Sequence, residues 1–306
     1  MGVKSSQKDL FAYSVDLDRR VRAEHPLRKV RAVVDFGFIR GKVEPLYGYN
    51  GNVSVDPEVI VKLLFLLFFD DIKSERELMR IIPERLDYLW FLGYGLDEEL
   101  PDHSVLSKAR KRWGKAIFEE LFIRTVWQCV QAGLVEGSKI HVDASVVEAN
   151  ASKDSILKGP PELIRALKKV YQVQEQKLEE QDDDEQGGSS TSVNDGLMSK
   201  TDPDAEVVGH IPGGPKPAYK HHRVVDNACG VITAVETTRG SIDEGSRLMD
   251  LVDQHRDNTQ KGVEAVVADS KYGTVKNYQA CQERGLHTHM ADLSAKQAGS
   301  GRRAKG

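Results

Sequence analysis

Cysteine is scarce in this chain, and long apolar runs are missing. The three cysteines, Cys129, Cys229 and Cys281, lie far apart in 306 residues, with no CxxC pair. This excludes a disulfide scaffold, speaks against a cysteine-bound zinc site, and fits a reducing cytoplasm. The most apolar stretch, Val59 to Phe69, is interrupted by Lys62. It is too short to span a bilayer and reads as a buried helix, so no membrane partner is expected. The opening MGVKSSQKDL has no apolar core of a secretory signal. HExxH, the P-loop and a GxGxxG in its strand–turn–helix context are all lacking, which counts against an unrelated metal-dependent phosphohydrolase. No strong excess of one charge exists either: 43 basic residues face 47 acidic ones, for a net charge of −4. That total alone does not mark a nucleic-acid protein. Its distribution matters more, because six acids and no basic residue fall in one tract, Glu179 to Glu185.

Two stretches carry chemistry. Lys139 to Ser152 reads KIHVDASVVEANAS. Its period-2 alternation and β-branched residues predict a strand, with Asp143 in the middle on the face opposite Val142. A carboxylate in an otherwise apolar strand needs a partner, a metal or solvent. Val263 to Tyr272 reads VEAVVADSKY, a short apolar run of the kind found in buried parallel strands. Asp269 falls where the run stops, and open α/β sheets bind ligands at the C-terminal ends of their strands. Two such carboxylates suit Mg²⁺ or Mn²⁺, hard cations that take few protein oxygens and share substrate phosphate. A pair of such ions roughly 3.5–4 Å apart can drive an in-line phosphoryl displacement.

HVDASVVEANAS followed far downstream by VVADSKYGT resembles the first and second acidic motifs of DDE-class transposases from bacterial insertion elements. TDPDA and YKHHRVVDNACGVITAVETTRGSIDE, between Thr201 and Glu244, add to the likeness, which runs from about Val30 to Met290. The resemblance implies a ribonuclease H-like fold, Asp143 and Asp269 as catalytic metal ligands, Mg²⁺ or Mn²⁺ as cofactor, and insertion-element DNA ends as partner. It leaves a homo-oligomer open. The third acidic residue of that family, a Glu on a helix after the last strand, finds no counterpart before Gly306. The expectation is therefore a truncated, catalytically impaired transposase. The alternative is a DNA-binding inhibitor or remnant of transposition without catalysis.

The other segments fit that frame. Residues 1–29 read as an irregular basic arm, with Arg19, Arg20, Arg22, Arg28 and Lys29. Residues 30–134 read as a helical DNA-binding domain. Helices are expected over Val30–Ile39, Ser54–Phe69 and Glu75–Ile82, the last opened by a Ser74/Glu77 capping box. A short helix at Leu86–Leu92 is followed by one starting at Asp102 or Ser104 and running to Trp113. Lys108, Arg110, Lys111, Arg112 and Lys115 make this last helix basic, and a basic helix closing a helical bundle suits the major groove. Ile117 to Gln131 is amphipathic and should lead into the sheet. Residues 135–290 read as the ribonuclease H-like domain, a mixed sheet with flanking helices, and 152–218 as a helical, acidic and loop insertion. A hairpin over Tyr219–Thr238 puts His221 and His222 on opposite faces. Asp226 reads as a turn residue, Glu148 as a surface or outer-shell group. Lys216, Lys220 and Lys271 are candidates for approaching phosphate, and Tyr272 for steadying the DNA backbone. Glu283 and Asp292 are weak substitutes for the third acid. Residues 291–306 read as a disordered tail.

Overall fold

A computed structural model describes residues 15–48, 54–176, 193–209, 211 and 214–291. The acidic tract 179–185 and all of the C-terminal tail beyond Ala291 lie outside the described residues. The chain divides into two compact units, Met1–Gln128 and Cys129–Gly306.

The first unit is helical: α1 (Leu17–Arg20), α2 (Pro26–Val33), α3 (Ile39–Val43), α4 (Pro57–Phe69), α5 (Glu75–Ile81), α6 (Leu86–Leu92) and α7 (Ser104–Gln131), whose last three residues belong to the second unit. Its core gathers Leu27, Ile39, Leu63, Leu66, Leu78, Phe91 and Trp113. Pro57 sits in the first turn of α4, with the Asp56 carboxylate accepting from the Glu58 N–H. The Ser74 hydroxyl accepts from the Glu77 N–H at 3.2 Å, but the Glu77 carboxylate turns to Arg80, so that cap is one-sided. The helix expected over Val30–Ile39 is instead two. The Asp35 carboxylate accepts from the Gly37 N–H at 2.9 Å, a local turn that competes with continuing the helix. Residues 15–29 are not an irregular arm. Val21 and Leu27 are buried, and Arg28 bonds the Asp18 carboxylate while its guanidinium lies 4.7 Å from the Trp90 ring centroid. α7 is interrupted at Gly114, whose φ of 67° and ψ of 178° no side-chain-bearing residue adopts comfortably.

The second unit is built on a mixed sheet. Its elements are β1 (Lys139–Glu148), β2 (Ile156–Lys158), α8 (Pro161–Gln176), β3 (Leu197–Ser199), β4 (Glu206–Val208), β5 (Lys216–Asp226), β6 (Ile232–Arg239), α9 (Leu248–Thr259), β7 (Ala265–Ala268), α10 (Val275–Glu283) and β8 (His287–His289). β5 lies antiparallel to β1 on one side and to β4 and β6 on the other. β7 runs parallel to both β1 and β8. The main order is therefore β6-β5-β1-β7-β8, that of a ribonuclease H-like sheet. Ile140, Val142, Val224, Ala234 and Val266 share a buried face with Leu248, Leu251 and Val252 of α9. β2, β3 and β4 fall in segments that read as loop, because three-residue strands are too short for a period to show.

Candidate functional site

In the parallel pairing of β1 with β7, Val142 stands opposite Ala268. One residue further along each chain come Asp143 and Asp269. They are thus successors at the same register position, on strands that in any sheet lie about 4.8 Å apart. Val142 and Ile140 point to the buried face, so alternation turns Asp143 to the other, open face. β7 ends at Ala268, and Asp269 begins the turn that follows, its Oδ1 accepting from the Lys271 N–H at 2.9 Å. The side chain of Asp143 is 54% exposed, and its Oδ2 accepts from Arg223 Nη2 at 2.8 Å. Arg223 is the cross-strand partner of Asp143 in the β1–β5 register. Each of these bonds uses one carboxylate oxygen. Two neighbouring carboxylates with oxygen to spare fit a hard divalent cation that also takes phosphate and water. Among the described residues, no three His, Cys, Asp or Glu side chains form a ready-made metal cage.

Beside this pair lies a carboxylate that sequence reasoning passed over. Glu244 follows the capping Asp243 and looks like an ordinary surface acid of a first turn, yet it is 5% exposed. Its Oε1 accepts from Lys271 Nζ at 2.8 Å, and Lys220 Nζ stands 3.5 Å away while donating to the Ile242 carbonyl at 2.7 Å. The bond to Glu244 raises the Lys271 pKa, with Asp269 and Asp143 adding to the effect. Tyr272 is fully buried, and burial pushes its hydroxyl above the usual phenol range. Buried this deeply, it is not placed to contact a DNA backbone. Asn277 Nδ2 donates to both the Gly245 and Tyr272 carbonyls, at 2.9 and 2.8 Å.

The remaining candidates separate cleanly. Asp226 is a structural acid: it is 1% exposed and accepts from the N–H groups of Glu136, Gly137 and Ala228. Glu148 binds Lys216 Nζ at 2.6 Å, which occupies that lysine. His222 is buried against Thr238, and His221 bonds Thr237 on the opposite face, as alternation requires. Glu283 is exposed near the end of α10, and Asp292 lies outside the described residues. On α7, Arg110 pairs with Glu75, Arg112 stacks 4.6 Å from the Tyr47 ring centroid, and Lys115 lies 3.4 Å from Glu119. Lys108 and Lys111 are exposed, and three residues apart they share a helix face.

Two family models match the chain. The one described as Transposase domain (DUF772) matches residues 15–112, and the one described as Transposase DDE domain matches residues 195–303. Both of the matched families are transposase families. The second match includes Asp269 but starts after Asp143, so within this chain the partner of Asp269 is supplied by the sheet register. Among solved structures, the chain is similar to a piggyBac transposase synaptic complex with hairpin DNA. Identity is 9% and the TM-score 0.38, over 88% of this chain and 50% of that one. A Mos1 transposase paired-end complex with the left transposon end gives 9% identity and a TM-score of 0.26, over 85% of this chain and 67% of that one. A Mos1 mariner paired-end complex with Mn gives 11% and 0.25, over 89% and 70%. The chain thus spans half the length of the piggyBac chain, and the fold assignment rests on strand order rather than on these overlaps. No curated protein matches. Among the described residues, no helix is long and apolar enough to cross a membrane.

Proposed function

We propose that this chain cuts and joins DNA at the ends of an insertion element by metal-dependent phosphoryl transfer. The observation that carries the reading is the register of β1 against β7, with Val142 facing Ala268 and an aspartate next along the chain after each. Asp143 and Asp269 would hold Mg²⁺ or Mn²⁺. Bound there, the cation supplies activation of a water or a DNA 3′-hydroxyl and stabilisation of the departing oxygen. Arg223 fixes the orientation of the Asp143 carboxylate, and the Lys271 N–H fixes that of Asp269. The Lys271 ammonium, on a side chain 60% exposed, offers positive charge to a phosphate oxygen. Lys108 and Lys111 of α7 are the cations best presented for the DNA backbone, with Lys115 beyond the Gly114 break. Arg110 and Arg112 are held within the helical unit. A homo-oligomer would bring two element ends together, in the cytoplasm.

The test is a nicking assay on duplex DNA carrying the matching element ends, with Mn²⁺ or Mg²⁺ and the full chain. Whatever cleavage the chain supports should fall in Asp143→Ala and in Asp269→Ala, by roughly 10³-fold or more as an order-of-magnitude expectation for losing a metal ligand. Cleavage that survives both substitutions would overturn the proposal. DNA binding without any cleavage would favour a binding protein of transposition instead.

A further inference from the structure

Glu244 is a carboxylate from which folding has removed water. A buried acid is costly unless compensated, and this one is compensated by two lysines from different parts of the chain, Lys271 at 2.8 Å and Lys220 at 3.5 Å. The turn that carries it is fastened to the turn after β7. Asn277, 5% exposed, ties the Gly245 carbonyl to the Tyr272 carbonyl. A Cβ on Gly245 would come within 2.8 Å of the Lys271 carbonyl oxygen, so only glycine permits this approach. Glu244 is therefore held at a fixed distance from Asp269.

The Lys271 ammonium lies within electrostatic reach of Glu244, Asp269 and Asp143 but bonds Glu244. The Tyr272 hydroxyl gives a second, independent sign of a ligand. It is buried and has no hydrogen-bond partner among the described residues, and the charges of Glu244, Asp143 and Asp269 add to the burial that raises its pKa. A buried hydroxyl of this kind marks a place for a polar ligand such as the water of a hydrated cation.

We propose that Glu244 is a positioning residue for the site: it retains the Lys271 ammonium beside the Asp143–Asp269 pair instead of on it. A divalent cation can then enter between the aspartates, while Lys271 stays free to meet a phosphate oxygen. This rests on the reading of Asp143 and Asp269 as the cation-holding pair. Without Glu244, the nearest carboxylates left to Lys271 are those two, and the ammonium competes with the cation for them.

The experiment is Mn²⁺ binding to the full chain, followed by calorimetry and by the loss of the free-ion electron paramagnetic resonance signal. Glu244→Gln should weaken Mn²⁺ binding by about tenfold, the scale of outer-shell losses at metal sites. Lys271→Met should tighten it. In the Lys271→Met background, Glu244→Gln should have little further effect, because the two act through one interaction. Equal weakening by Glu244→Gln with and without Lys271 would overturn the proposal, since Glu244 would then act on the cation directly. So would unchanged affinity in Glu244→Gln while Asp143→Asn and Asp269→Asn lose binding. If those two aspartate variants bind Mn²⁺ as the wild type does, the cation-pair reading itself falls.

Discussion

Asp226 and Asp143 are both strand carboxylates, and their surroundings give them opposite tasks. Asp226 spends its two oxygens on three backbone N–H groups around the start of β1 and the β5–β6 turn. Asp226→Ala should leave those donors unpaired and lower the stability of the second unit by about 3 kcal/mol, as read by urea unfolding. Asp226→Asn should cost less. The buried imidazoles make a pH prediction. Burial lowers the pKa of His222 and of His255 below the ordinary 6.5. Below pH 6.5 the unfolded chain then binds more protons than the folded one, so stability rises with pH through this window. Stability should be complete above about pH 7 and fall as pH drops from 6.5 towards 5. The unfolding midpoint measured at pH 7.5 and 5.5 should show that fall, and His255→Asn, which can keep a bond to Thr233, should lessen it.

At the scale of single elements, α7 shows a break that hydrophobic periodicity does not specify. Its two halves were legible as separate patterns ending near Trp113 and starting at Ile117. What joins them is Gly114 in a backbone region nearly closed to other residues. A Cβ there meets nothing within 4 Å, so the cost of Gly114→Ala is conformational and not steric crowding. The substitution should destabilise the first unit by about 1–3 kcal/mol in thermal unfolding. A neutral or stabilising result would mean that the helix straightens without penalty. The same helix illustrates why a cluster of basic residues is ambiguous in sequence. Five cations fall within eight positions, Lys108 to Lys115, and three of them find partners: Glu75, Tyr47 and Glu119.

Across the molecule, the two units should carry separable activities. Lys108→Ala with Lys111→Ala should weaken DNA binding in a mobility-shift assay and reduce its salt dependence by about two counterions. It should leave Mn²⁺ binding intact. Asp143→Asn should do the converse, removing metal-dependent nicking while the shift persists. Loss of both activities in either variant would argue against this division of labour.

Local pattern determined most of the elements: the alternation around Asp143, the apolar run ahead of Asp269 and the cap at Ser74. These are set by neighbours a few residues apart, which a single sequence displays. It also showed that Asp143 lies opposite Val142. Only the tertiary structure decided what meets across the sheet. The β1–β5 register gave Asp143 its Arg223, and folding buried Glu244 beneath two lysines. The reason is physical. Register and burial are set by contacts between residues far apart in the chain, 80 positions for Arg223 and Asp143 and 27 for Lys271 and Glu244. No local period encodes such separations.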